Sequence, residues 1–184
     1  QAVIEESEYL LVEGYLVTSE ETQKVASYSL DIATKLGVKK IITLSDPNVV
    51  KFFRDNIVEL LNKSFDMIFC NQQEALNISK TDNIDDAIDF LKKYAHEIII
   101  TCGEDGAYAT LGSEKFHEIP DRVKPVDLTG AGDMFLAAYI FARVSNKSVT
   151  NRIKFANTCS GNVIQRYGAK LDTLDYSKLL KELQ

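Results

Sequence analysis

The segment Asp127-Leu128-Thr129-Gly130-Ala131-Gly132-Asp133 holds the residue types and spacing best suited to chemistry. Small residues at 130–132 let a ligand approach the backbone closely. The following Met134-Phe135-Leu136-Ala137-Ala138-Tyr139-Ile140 reads as a buried helix. A glycine-rich turn at a helix N-terminus offers N–H donors with no partner inside the helix, together with the positive end of the helix dipole. Such a turn suits a phosphate, and also the charge that develops on a phosphoryl group in flight. Asp133, in the first helical turn, could take the proton of an attacking hydroxyl. The plainer alternative is that Asp133 only complements the dipole while the glycines make a tight turn.

Two other phosphate loops are excluded. A Walker A loop needs GxxxxGK[ST], and no such string occurs. A dinucleotide-binding loop needs GxGxxG after an early strand and an acid about 20 residues on. Here Phe135 stands at the third glycine, and Asn151-Arg152-Ile153 occupy the later position.

The elements that must position this segment alternate between short apolar runs and amphipathic stretches. Tyr9–Val12, Lys40–Leu44, Met67–Cys70 and Ile98–Thr101 read as strands. Helices are expected over 20–36, ending at Gly37, and from Asp46-Pro47 onward, with Pro in the first turn and an Asp or Ser cap. Further helices are expected over 84–95, 132–144 and 149–167, with a short one at the end of the chain. Tyr108–Thr110 and Lys115–His117 read as a hairpin turning at Gly112-Ser113, an antiparallel edge. Strands separated by helices imply a mainly parallel sheet covered on both faces. Ligands in such sheets sit at the carboxyl ends of the strands, so the loops after Cys70 and Thr101 and around residue 130 are the ones of interest.

Composition narrows the partners. The chain has 184 residues, 45% hydrophobic and 26% charged, with a net charge of −6 and mixed signs. That suits one α/β domain over 1–184. With no basic stripe, nucleic acid and anionic membrane surfaces are not expected partners. Cys70, Cys102 and Cys159 are far apart, odd in number and form no CxxC pair, which argues against a zinc site or disulfide framework and for a reducing, cytoplasmic setting. No apolar run approaches the roughly 20 residues of a membrane span. His96 and His117 suggest no role.

The 127–133 string, with Phe135 and Ala137-Ala138 after it, resembles the C-terminal signature of the ribokinase-like (PfkB) kinases. That resemblance implies a three-layer α-β-α fold and ATP-dependent phosphoryl transfer to an alcohol. It makes Asp133 the catalytic base and Gly130, Ala131 and Gly132 the anion hole. Leu128 departs from the residues usual at its position, but lies outside the anion hole.

Asn71-Gln72-Gln73-Glu74 resembles the family's NxxE motif, whose Asn faces the phosphates and whose Glu positions Mg²⁺ through water, in keeping with an ion that takes few protein carboxylates. Its local alternative is a capping box with Asn71 as cap. Thr101, Gly103 and Gly106 of Thr101-Cys102-Gly103-Glu104-Asp105-Gly106 match a strand-end segment that contacts nucleotide phosphates, the alternative being a simple turn. Asn157 matches a residue near the adenine, and is otherwise an ordinary polar residue on a helix. Asp127, Thr129 and Gly168 match parts of a monovalent cation site, which would take K⁺. Glu13-Gly14-Tyr15-Leu16, Leu44-Ser45-Asp46-Pro47, Phe52-Phe53 and 65–71 are similar to the adenosine kinase branch and to sugar kinases near it. There Glu13 would be a substrate contact, unless it is simply an acid past a strand.

The resemblance covers only the C-terminal part of the family pattern, because the glycine-pair motif, most sugar-binding residues and the β lid have no counterpart after Gln1. The expectation is therefore a C-terminal fragment, weakly active or inactive by itself. Its exposed sheet edge would favour association, for example as a homodimer. The expected acceptor is adenosine, then another nucleoside or a sugar, as in ribokinase- or fructokinase-like enzymes. Two rival readings are a nucleotide-binding module without catalysis and an NAD-dependent oxidoreductase.

Overall fold

The computed structural model describes residues 2–182. A short helix α1 (Ala2–Glu5) leads into β1 (Tyr9–Glu13), a 3₁₀ turn (Gly14–Thr18) and α2 (Glu20–Leu36). Next come β2 (Lys39–Thr43), α3 (Pro47–Phe52), α4 (Arg54–Leu61), β3 (Phe65–Asn71), α5 (Gln72–Ser79), α6 (Ile84–Leu91) and β4 (Ala95–Thr101). A second 3₁₀ turn (Gly103–Asp105), β5 (Ala107–Leu111) and β6 (Glu114–Glu118) follow, then α7 (Ala131–Val144), α8 (Val149–Val163) and α9 (Thr173–Glu182). The strands form one sheet in the order β1-β2-β3-β4-β5-β6. β1, β2 and β3 run parallel, with Leu11 opposite Ile41 and Ile41 opposite Met67. The fold is the three-layer, mainly parallel α/β class.

The chain forms two compact units, 1–100 with 110–112, and 101–109 with 113–184. In the first, β2, β3 and β4 are near-continuous apolar runs, and Ile41, Ile42, Met67, Ile68, Ile98, Ile99 and Ile100 are buried, as a sheet covered on both faces requires. Truncating one of these isoleucines to Ala would cost about 2–5 kcal/mol. α2 starts where Ser19 Oγ accepts the Thr22 N–H and ends at Gly37, whose φ of 71° closes the last turn. Asp46 caps α3 by accepting the Asn48 N–H at 2.7 Å, with Pro47 in the first turn. α2 buries Ala26, Leu30 and Ala33. In the second unit, α7 and α8 pack against each other through residues that include Phe135, Tyr139, Ile153 and Ala156, all buried.

Two helices are shorter than their patterns suggest. The run 84–95 stops at Leu91, because the Lys93 and Tyr94 N–H groups turn back to Phe90 and Leu91 while Tyr94 O accepts the Phe65 N–H, drawing Ala95 into β4. The run 149–167 stops at Val163. The Ile164 carbonyl there accepts the N–H groups of Val126 (2.7 Å) and Asp127 (3.2 Å), so a strand of loop replaces the next helical turn. Periodicity cannot register such a competitor, because it comes from residues nearly forty positions away.

Candidate active site

Glu13, Asn71 and Glu74 lie in the first unit; the other candidate residues lie in the second. Within the first, the parallel register brings Glu13, Thr43 and Asn71 to the carboxyl edge of β1, β2 and β3. Asn71 caps α5. Its Oδ1 accepts the Glu74 N–H at 2.8 Å, while Glu74 accepts the Asn71 N–H at 2.9 Å and an Asn71 Nδ2 hydrogen at 2.7 Å. The capping box is thus present in full. Glu74 is only 3% exposed, and burial, with the Asp46 charge adding to it, pushes its carboxyl up to about 7, against the opposing Asn71 bond. A buried acid that feels the charge of a second acid is hard-donor chemistry that suits a hydrated divalent cation, which would offset the repulsion. Among the described residues, no group of three or more His, Cys, Asp or Glu forms a direct metal cage. Glu13 ends β1 with its side chain exposed. Next to it, Gly14 is required by packing, since a Cβ there would lie 2.4 Å from Leu44 O.

The second unit gathers the rest. Thr101 ends β4, and Gly103 and Gly106 (φ 61° and 90°) carry the turn into β5. Asn157 on α8 is buried and donates from Nδ2 to Glu118 O at 3.0 Å, which leaves its Oδ1 as an acceptor. Gly103, Asn157, Leu128 and Ala131 line a cavity of about 450 Å³, together with Pro120–Val123, Ser160, Gly161 and Ile164. That volume and largely apolar lining suit a small organic ligand with a few oriented polar groups. Sequence reasoning missed Ser160, whose Oγ donates to Ala131 O at 3.0 Å, and the Pro120–Pro125 wall. The two prolines were the available signal.

The Gly-Ala-Gly turn opens α7. Gly130 adopts φ 80°, and a Cβ on it would lie 2.5 Å from the Ala169 Cβ, so both backbone and packing demand glycine. A Cβ on Gly132 would meet nothing within 4 Å. No side chain caps this helix. Ala131 N–H donates to Leu128 O at 3.2 Å, whereas among the described residues the Gly132 and Asp133 N–H groups meet no acceptor. The Gly130 N–H likewise meets no acceptor among the described residues. The Asp133 carboxylate is exposed beside them and accepts no hydrogen bond among the described residues. Asp127 behaves differently. Its Oδ2 accepts the Gly168 N–H and its Oδ1 the Thr129 N–H, each at 2.9 Å, and these bonds, that from Gly168 foremost, hold its carboxyl below the usual range. It clamps the 127–130 loop to the chain leaving α8 and brings Asp127, Thr129 and Gly168 together.

A mainly parallel α/β sheet with this glycine-led helix start is the architecture of the ribokinase-like class. The pfkB family carbohydrate kinase model matches residues 1–175, and the chain belongs to that family. A ribokinase of Lactococcus lactis is 26% identical over 92% of this chain and 63% of its own length. The structure of an adenosine kinase from Sinorhizobium meliloti superimposes with a TM-score of 0.90 at 28% identity, covering 98% of this chain and 56% of that one. An Escherichia coli protein assigned as ribokinase II and solved with ATP and Mg²⁺ shares the fold, with a TM-score of 0.87 at 20% identity, over 98% of this chain and 61% of that one. The chain thus spans a little over half to nearly two thirds of these relatives.

Proposed function

We propose that this chain carries the nucleotide-binding and phosphoryl-transferring part of an ATP-dependent kinase that acts on the hydroxymethyl group of a nucleoside or sugar. Adenosine is our first choice of acceptor and a ribose-type sugar the second. The carrying observation is the open start of α7, where the Gly130, Gly132 and Asp133 N–H groups meet no acceptor among the described residues and stand beside an unencumbered carboxylate. Asp133 accepts the proton of the acceptor hydroxyl as it attacks. The Gly132 and Asp133 amides, with the positive end of α7, hold the charge spreading over the moving phosphoryl oxygens. These donors are fixed before the reaction begins, so they need no reorganisation at the transition state.

In this reading the cavity beside Asn157 takes the adenine, with Asn157 Oδ1 available to the exocyclic amine. Thr101, Gly103 and Gly106 supply backbone approach to the nucleotide phosphates. Glu74 would hold Mg²⁺ through water; the ion would neutralise phosphate charge. K⁺ would sit at the Asp127, Thr129 and Gly168 junction, and Glu13 would touch the acceptor. The family match supports the use of ATP. A cytoplasmic setting accords with three cysteines outside any disulfide.

The test pairs calorimetry with a phosphoryl-transfer assay across nucleosides and sugars, both run on the complete gene product. ATP should bind, and Asp133→Asn should leave that affinity within about two-fold while transfer falls by about 100-fold or more. Asp133→Asn with the parent rate would remove Asp133 from its role. Binding with no transfer to any alcohol would favour a module without catalysis.

A further inference from the structure

The turn at 101–106 makes three backbone hydrogen bonds to itself: Cys102 N–H to Gly106 O, Asp105 N–H to Cys102 O and Gly106 N–H to Gly103 O. These fix its shape but not its place in the cavity wall, to which it contributes Gly103 and Glu104. Its place is set from β6. A Cβ on Gly106 would lie 2.1 Å from Glu118 O, so the turn and the end of β6 touch backbone to backbone. The same Glu118 O accepts the Asn157 Nδ2 hydrogen, which ties the end of β6 to α8. The remaining tie is a side chain. His117 Nε2 lies 2.8 Å from Asp105 O, one residue past Glu104. A carbonyl oxygen only accepts, so the ring carries its hydrogen on Nε2 and donates. The ring lies flat on Tyr108 of β5, with centroids 4.1 Å apart and planes 8° from parallel, and Lys115 Nζ stands 4.6 Å from the Tyr108 ring centre. His117 is nevertheless exposed, so burial does not account for this ordering.

We propose that His117 is a positioning residue for the nucleotide, holding the 103–105 turn at the cavity through Asp105 O; this rests on the kinase reading of that cavity. The stack and the hydrogen bond do separate jobs. Stacking on Tyr108 restricts rotation of the ring, and the hydrogen bond passes that order to the turn. The turn needs an outside anchor, because Gly103 and Gly106, with φ of 61° and 90°, leave both of its ends on the most permissive residue type. A wall ordered before the ligand arrives spares the ligand the cost of ordering it. Loss of the anchor should therefore appear in nucleotide affinity. Among the described residues His117 makes no hydrogen bond to Asp133 or to the start of α7, so the transfer step itself should hardly change.

Calorimetry and steady-state kinetics on the complete gene product test this with two substitutions. His117→Phe keeps a ring on Tyr108 and loses the donor. His117→Gln loses the ring but carries an N–H the same number of bonds from Cα. His117→Phe should raise the Kd and KM for ATP about 3- to 10-fold, with kcat within about two-fold and an unchanged denaturation midpoint. His117→Gln should recover much of that affinity. Nitrogen NMR of the labelled imidazole should place the hydrogen of the neutral ring on Nε2 before ATP is added. Parent-like ATP affinity in His117→Phe would overturn the proposal and leave the kinase reading standing. So would a loss that His117→Gln shares in full, a loss that tracks folding stability, or a neutral ring with its hydrogen on Nδ1. A parent protein that binds no ATP would overturn the kinase reading and this proposal with it, so the two failures are distinguishable.

Discussion

Helices α5 and α7 both begin in segments whose sequences suit phosphate chemistry, and they treat their first amides in opposite ways. At α5, Asn71 and Glu74 satisfy each other in a closed capping box, and the acid is buried. At α7 a left-handed glycine stands where a capping side chain would be, the Gly130, Gly132 and Asp133 N–H groups meet no acceptor among the described residues, and the acid is exposed. α2, α3, α6 and α8 all begin with a side-chain cap, as α5 does. An end without a cap gives up roughly 1 kcal/mol of helix stability. α4 also starts without a side-chain cap, so what sets α7 apart is the left-handed glycine at its start and the exposed acid beside the open N–H groups. Local stability and anion binding draw on the same N–H groups, so a helix start serves one well at the expense of the other.

The largest effect expected from this contrast is catalytic: Asp133→Asn should abolish most phosphoryl transfer, whereas Gln73→Ala on the exposed first turn of α5 should leave it unchanged. Steady-state assays of the two variants side by side check this.

Next in size is a pH effect confined to α5. Burial raises the Glu74 carboxyl from 4.5 to about 7, so the folded chain holds a proton that the unfolded chain releases between those values. Stability should therefore fall as pH rises through that window, by a few kcal/mol at most, and level off above it. Denaturant titrations from pH 4.5 to 8 should show this slope in the parent chain and lose it in Glu74→Gln. A parent chain whose stability rises with pH across that window would contradict the burial argument.

Two glycines two residues apart sharpen the comparison further. Gly130→Ala places a side chain in a left-handed site against Ala169 and should cost about 1–3 kcal/mol in chemical denaturation. Gly132→Ala meets open space and should hold or slightly raise stability, yet weaken ATP binding by crowding the open amides. The smallest effect is at α5 again: Asn71→Ala should cost about 1–2 kcal/mol through the lost cap, measured the same way.

Much of this was legible in sequence. Gly37 after an amphipathic run, Asp46-Pro47 before another and the hairpin turn at Gly112 fell where local rules place them, because each is decided by residues within a turn or two. The Gly-Ala-Gly-Asp string announced the α7 start for the same reason. What could not be read came from distant partners. The α8 exit is set by Val126 and Asp127, the need for Gly130 by Ala169, and the Ala131 carbonyl is held by Ser160. Asn71 and Glu74 were readable equally as a cap or as a cation-handling pair. The closed box shows that the first description holds, and the elevated Glu74 carboxyl leaves the second as a testable addition.

The central claim is that the open amides at the start of α7 receive the phosphate. Amide chemical shifts followed by NMR during an ATP titration test it directly. The account predicts that the Gly132 and Asp133 resonances move most, while the Glu74 amide, already donating to Asn71, moves little. Saturating ATP that leaves Gly132 and Asp133 in place would contradict it.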